Sequence, residues 1–223
     1  MKKAIVTGDS RGLGAALARQ LTDTGWEVLG LSRAGGHDLG DPAALTAWLA
    51  GNELADFLAG ATEVVLINNA GTLGPARPIG GADPAETIAA VNLNVTAPIL
   101  LTDAVVRARP ADADLRVAHV SSGAGRRPLE GWSVYCATKA AVDMHAQTLA
   151  AEKLDGVRVA AIAPGIVDTD MQATIRSSDD FPAREQFVEY KETGQLASPD
   201  DAAAAVLAVV NSASFGEEPV TRV

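Results

Sequence analysis

The chain has 223 residues, is 48% hydrophobic and 21% charged, and carries a net charge of −10 with a pI of about 4.7. That length suits one domain with its own core. The acidity argues against the clustered basic face that nucleic-acid binding needs, and the single cysteine, Cys136, excludes an internal disulfide. Lys2 and Lys3 precede only Ala4-Ile5-Val6 before Thr7-Gly8-Asp9, far short of a secretory apolar segment. The longest unbroken apolar run, Ala202–Val210, is nine residues and too short for a bilayer. The expectation is a cytoplasmic protein without nucleic-acid or membrane partners.

In chain order, short apolar runs at Ala4–Thr7, Glu27–Leu31, Val64–Ile67, Arg116–Val120 and Val157–Ile162 predict strands. They alternate with predicted helices at Gly14–Thr24, Pro42–Ala59, Pro84–Ala108, Ser133–Lys153 and Pro199–Asn211. Asp41-Pro42, Asp83-Pro84 and Ser198-Pro199 each read as an N-cap followed by proline at the first helical position. The runs do not alternate polar and apolar, so both sheet faces should be covered by helices. The fold class is therefore α/β, a Rossmann-like doubly wound parallel sheet in a single domain over residues 1–223.

Two stretches depart from the regular pattern. Only Ala34-Gly35-Gly36 separates Arg33 from the small segment His37-Asp38-Leu39, whereas a parallel crossover needs a dozen residues or more. The third strand is then vestigial or the crossover helix is missing, and the sheet should be shortened on that side. Residues 171–196 are polar, carry Ser177-Ser178-Asp179-Asp180 and a helical-looking Ala183–Glu192, and read as a lid over a pocket.

Chemistry concentrates in three places. Gly8, Gly12 and Gly14 fall where the first strand turns into the first helix, so backbone can approach a pyrophosphate and the helix N-terminus can face its charge. No acid stands at Leu31, Ser32 or Arg33, where an NAD site would hold the ribose 2′-hydroxyl. Arg33 and Arg11 instead suit a 2′-phosphate, which favours NADPH. Tyr135 and Lys139 lie four apart on a predicted helix, about 5–6 Å between Cβ atoms. The ammonium is expected to lower the phenol pKa from about 10, and Ser122 lies upstream. Cys136 reads as packed, Trp132 as a pocket wall or a core aromatic, and His37, His119 and His145 as too scattered for a metal site.

Together these motifs resemble the short-chain dehydrogenase/reductase family: Thr7–Gly14, Asp38-Leu39, Asn68-Asn69-Ala70-Gly71, Asn92, Ser121-Ser122, Tyr135 with Lys139, and Pro164-Gly165 followed by Thr169. Within it, Gly131–Cys136, Pro164–Gln172 and Tyr190–Leu196 look most like sepiapterin reductases and the related benzil reductases.

The resemblance implies that Gly8, Ser10, Arg11, Gly12, Leu13 and Gly14 line the diphosphate and adenosine phosphate, with Ser32 and Arg33 at the 2′-phosphate. Asp38 and Leu39 would flank the adenine, and Asn69, Ala70 and Gly71 would support the ribose. Pro164, Gly165, Val167 and Thr169 would hold the nicotinamide amide. Asn92 would fix a water leading from Lys139 to solvent, Ser122 would bond the substrate carbonyl, Tyr135 would donate the proton, and Lys139 would bind the nicotinamide ribose. A homodimer or homotetramer through the helices at Pro84–Ala108 and Ser133–Lys153 is also implied.

Two departures stand out. Asp9 occupies a place where the family commonly has a small residue, and would either cap the helix or repel the cofactor. The tail Phe215–Val223 lacks the aspartate that anchors a pterin. The activity expected is reduction of a ketone, aldehyde or 1,2-diketone, with Leu73, Gly74, Pro75, Ala124, Trp132 and the lid around an apolar substrate. A non-catalytic NADPH sensor is the alternative, while a nucleotide-sugar epimerase would need a larger C-terminal substrate domain.

Overall fold

The computed structural model describes residues 1–177 and 181–223. Its six strands are β1 (Lys2–Thr7), β2 (Glu27–Leu31), β3 (Glu63–Asn68), β4 (Asp114–Val120), β5 (Val157–Ala163) and β6 (Val220–Arg222). They form one parallel sheet in the order β2-β1-β3-β4-β5-β6. The chain winds outward from β1 to β2 and returns on the other side of β1 to β3, so the winding reverses between β1 and β3. In open α/β sheets that reversal, at the strands' carboxyl ends, is where ligands bind.

Helices cover both faces, and strand residues divide strictly between them. Ala4, Val6, Val65, Ile67, Ala160 and Ile162 pack under α1 (Gly12–Asp23) and α9 (Pro199–Val210). Their sequence neighbours Ile5, Val64, Leu66, Val159 and Ala161 pack on the opposite side. There they meet α2 (Pro42–Leu49), α3 (Glu53–Leu58), α5 (Ala97–Ala108) and α6 (Ser133–Glu152). A strand buried on both faces has no polar side to present, which explains the unbroken apolar runs. The predicted caps are present: Asp41 accepts from the Ala43 and Ala44 N–H groups, Asp83 from Ala85, and Ser198 from Asp201.

Several expectations change. The helix predicted over Pro42–Ala59 is two, broken around Gly51. Residues 33–39 form no strand: Arg33–Gly35 is a 3₁₀ turn, β2 is the sheet edge, and Leu39 is buried in the core. The shortened sheet expected there is present. β6 was not anticipated, because three residues after Pro219 are too few to show a period.

The helix over 84–108 is continuous but not uniform. α4 (Pro84–Val91) runs through a π turn at Asn92–Thr96 into α5. Pro98 lacks the N–H that would bond the Asn94 carbonyl four residues back, and its ring crowds that carbonyl, so the turn widens. By length and hydropathy this 25-residue helix could cross a bilayer, unlike any unbroken apolar run in the sequence. Its Ala97, Leu101, Ala104 and Val105 are instead buried against the sheet, as in a core helix.

Candidate active site

A cleft of about 1380 Å³ opens at the carboxyl ends of the strands. Its floor is made by welding the ends of β1 and β3. The Thr7 hydroxyl accepts from the Asn69 and Ala70 N–H groups, each at 2.9 Å, and the Asn69 side-chain amide donates to the Thr7 carbonyl at 2.9 Å. The β1–α1 turn lies on this weld so closely that side chains are excluded. A Cβ on Gly14 would overlap the Gly8 carbonyl oxygen and stand 2.8 Å from its carbonyl carbon. Gly8 itself is left-handed at φ +70°, with Ala70 Cα 3.0 Å from where its Cβ would be.

Ser10, Arg11, Gly12 and Leu13 line the same end, with Ser32, Arg33, Asp38 and Leu39 beyond β2. The Arg11 guanidinium bonds Asp170 at 2.9 Å, across the cleft on α7 (Asp170–Ser177). Both side chains are more than two-thirds exposed, and such pairs hold by only about 0–1 kcal/mol. Arg33 makes no ion pair among the described residues.

Asp9 does not act as the helix cap that was one of its two expected roles: the N-cap of α1 is Arg11. Nor does it line the cleft. Its carboxylate lies over Gly30 of β2, where any Cβ would collide with it, and its Oδ1 is buried without a hydrogen-bond partner among the described residues.

The opposite wall carries Ser122, Tyr135 and Lys139, with Pro164, Gly165, Val167 and Thr169 after β5. Tyr135 is 7% exposed, and Lys139 is 6% exposed. The Lys139 Nζ donates to the Val120 carbonyl at 2.8 Å and sits 5.6 Å from the Tyr135 ring centroid. The expected acidification of the phenol is not found. Burial pushes Tyr135 up to about 12, with the Ser122 hydroxyl opposing and Cys136 adding to the rise. Burial also brings Lys139 down to about 8, against the pull of the Asp143 carboxylate. The reason is common to both: a low-dielectric wall disfavours whichever form is charged. Tyr135 therefore stays protonated throughout the neutral range, in the form that can donate.

Every predicted catalytic and cofactor-binding residue lines this cleft except Asn92. The π turn brings Asn94 inward instead. Asn94 is 2% exposed; its Oδ1 accepts from the Thr72 N–H, and its Nδ2 donates to the Thr72 carbonyl and to Thr138 Oγ1. A Cβ on Gly71 would lie 3.4 Å from Asn94 Oδ1 and 3.7 Å from Lys139 Nζ, so these two groups flank the same glycine. Asn92 is half-buried outside the cleft. The signal available in the sequence was Pro98, which marks the widened turn.

Residues beyond α6 close the other end of the cleft. Trp132 stacks on Phe181 with centroids 4.9 Å apart, and Phe187 and Tyr190 of α8 (Arg184–Glu192) continue the aromatic cluster. Trp132 is thus both pocket wall and core aromatic. Leu73, Ala124, Met171 and Ile175 also line this end, while Gly74 and Pro75 do not. Of the segment read as a lid, Ser178, Asp179 and Asp180 lie outside the described residues. Two histidines that look scattered in the sequence meet beneath this wall: His119 Nε2 is 3.1 Å from His145 Nδ1, and its Nδ1 is 3.1 Å from Asn68 Nδ2.

The short chain dehydrogenase family model matches residues 59–180. A benzil reductase ((S)-benzoin forming) of Bacillus cereus is 34% identical over 247 aligned positions, covering 100% of this chain and 99% of its own. A sepiapterin reductase of Meriones unguiculatus is 34% identical, covering 95% of this chain and 92% of its own. A short chain dehydrogenase from Burkholderia cenocepacia, crystallised in complex with NADP, superposes with a TM-score of 0.78 at 28% identity, covering 99% of this chain and 95% of that one. With the sheet order, the glycine turn and the Ser122–Tyr135–Lys139 wall, these matches make this chain a member of the short-chain dehydrogenase/reductase family of oxidoreductases, on the benzil and sepiapterin reductase side of it.

Proposed function

We propose that the protein is an NADPH-dependent carbonyl reductase acting on ketones or 1,2-diketones, with Tyr135 as the proton donor. The observation that carries the reading is the buried Tyr135 beside Ser122 and Lys139, across one cleft from a glycine turn with no room for side chains. The cleft suits a dinucleotide. Gly8 and Gly14 leave bare backbone where a pyrophosphate would lie, α1 presents its N-terminus there, and β2 ends in Ser32-Arg33 rather than in a carboxylate.

Gly8, Ser10, Arg11, Gly12, Leu13 and Gly14 would hold the phosphates, and Ser32 and Arg33 the 2′-phosphate. Asp38, Leu39, Asn69, Ala70 and Gly71 would hold the adenosine half, with Pro164, Gly165, Val167 and Thr169 at the nicotinamide. NADPH, when bound, supplies the hydride. Ser122 donates a hydrogen bond to the substrate carbonyl, and Tyr135 delivers its proton to that oxygen. Such general acid catalysis is worth roughly 10²–10⁴-fold. Lys139, charged below about pH 8, stabilises the phenolate that remains and bonds the ribose. Asn94, rather than Asn92, steadies the wall beside Lys139. Residues 171–196 act as the lid, and the aromatic cluster suits an apolar, aryl-bearing carbonyl compound.

Exposed Ile88 and Val91 on α4 and Met144 on α6 support self-association through those helices. The catalytic reading is tested by following NADPH and NADH oxidation with benzil, other diketones, sepiapterin and simple ketones. Turnover with NADPH and an aryl diketone, and a clear preference over NADH, is expected. NADPH binding without consumption across the set would leave a sensor rather than an enzyme.

A further inference from the structure

We propose that Asp143 is a positioning residue for the reactive wall: it clamps the segment carrying Ser122 onto α6 and places a carboxylate one helical turn beyond Lys139. Asp143 is 4% exposed, a depth at which aspartate is almost always paired. It accepts from Ser121 Oγ at 2.5 Å through Oδ1 and from Arg126 Nε at 3.1 Å through Oδ2. Both donors belong to the stretch that presents Ser122. Ser121 precedes it, the 3₁₀ turn Gly123–Gly125 follows, and Arg126 closes the turn.

The turn rests directly on α6. A Cβ on Gly125 would stand 2.9 Å from the Lys139 carbonyl carbon and 3.0 Å from Asp143 Oδ2. The same Arg126 guanidinium donates through Nη2 to the Thr221 carbonyl at 3.0 Å, so β6 is tied to this corner as well. One carboxylate therefore gathers three separate pieces of chain, from β4's end, α6 and the tail.

A buried ion pair that only packs can often be replaced by apolar side chains without loss. Asp143 differs because of what lies one turn before it. The groups facing Lys139 are Tyr135 and Asp143 on its own helix, His119 and the Val120 carbonyl on β4, and the neutral Asn94 amide from the π turn. Arg126 faces Asp143. Burial holds Tyr135 and His119 uncharged near neutrality. Asp143 is thus the anion that sustains the Lys139 ammonium against burial, and Arg126 tempers it.

The inference rests on Lys139 acting in its charged form, as in the reading above. Its test is the pH profile of kcat/KM for NADPH with saturating diketone. An alkaline limb is expected from loss of the Lys139 proton, whose pKa burial lowers to about 8. Asp143→Asn removes the anion and should move that limb down by about one pH unit. Arg126→Met removes the tempering cation and should move it up. Ser121→Ala keeps the charge, so kcat should fall while the limb stays in place.

Limbs that do not move, or that move the same way in Asp143→Asn and Arg126→Met, would overturn the proposal. Should Asp143→Asn fail to fold, Arg126→Met decides: an upward shift supports the proposal, and a downward or absent shift rejects it. Tyr135→Phe in the same assay separates this inference from the reading beneath it. Full turnover there removes Tyr135 as the proton donor, whereas an inactive Tyr135→Phe with unmoved limbs in the other variants removes only the role of Asp143.

Discussion

At one end of the cleft, Gly8 and Gly14 press backbone against backbone over the Thr7–Asn69 weld. At the other end, Trp132 joins Phe181, Phe187 and Tyr190, from a segment distant in the chain, in a cluster with ring centroids 4.9–5.7 Å apart. The first end is shaped by exclusion, because no atom can be added. The second is shaped by side chains that can be exchanged for others of similar volume. The nucleotide end should therefore tolerate almost no substitution, while the substrate end can be retuned at a cost in stability. The solvent-facing ion pair of Lys191 with Asp168 at the second end adds little to hold it.

The largest expected effect on stability tests the aromatic end. Trp132→Ala removes the ring on which Phe181 stacks and should cost about 3–5 kcal/mol, read as a lower denaturant midpoint. At temperatures where the variant is folded, KM for an aryl diketone should rise while NADPH affinity holds. A Trp132→Ala protein with weakened NADPH binding and unchanged KM would reverse the assignment of the two ends.

Gly14→Ala tests the other end. The added methyl meets a backbone carbonyl that cannot swing aside, a strain of about 1–3 kcal/mol. NADPH affinity should fall about tenfold to a hundredfold by isothermal titration, with little change in the aromatic cluster's near-UV signal. Wild-type affinity in this variant would mean that the turn is loose.

A smaller effect comes from the histidine pair beneath the wall. Burial lowers His119 to about 3, and burial also lowers His145. The unfolded chain takes up these protons near pH 6.5 and the folded chain does not. Stability is then full above about 6.5 and falls as the pH drops towards the folded value, by up to about 1.4 kcal/mol per pH unit for His119, with His145 adding in the same direction. Urea midpoints at pH 7.5 and pH 5 should show the loss, and His119→Gln should flatten it. An equally steep dependence in that variant would place the acid sensitivity elsewhere.

The same division explains what could be read in advance. The glycine turn, the proline-marked caps, five strands and the Ser122–Tyr135–Lys139 wall depend on local spacing, and spacing is visible in a sequence. Asn94 was missed because its place depends on a widened turn that Pro98 produces four residues later, which shifts the helical phase by about one residue. The aromatic cluster joins Trp132 to residues some fifty positions onward, and no period links them. The phenol's high pKa follows from burial, which the Tyr–Lys spacing does not report. The His119–His145 contact pairs a strand with a helix, and the role of Asp9 over Gly30 needs the β1–β2 register.

The central claim is that a buried, protonated Tyr135 gives its proton to the substrate and does little for cofactor binding. Tyr135→Phe keeps the ring, its packing against Trp132 and the neighbouring Lys139. The direct measurement is NADPH affinity and diketone turnover on the same preparation. The account predicts affinity within about twofold of wild type, with turnover lowered by roughly 10²–10⁴-fold. Turnover left near the wild-type rate would contradict it.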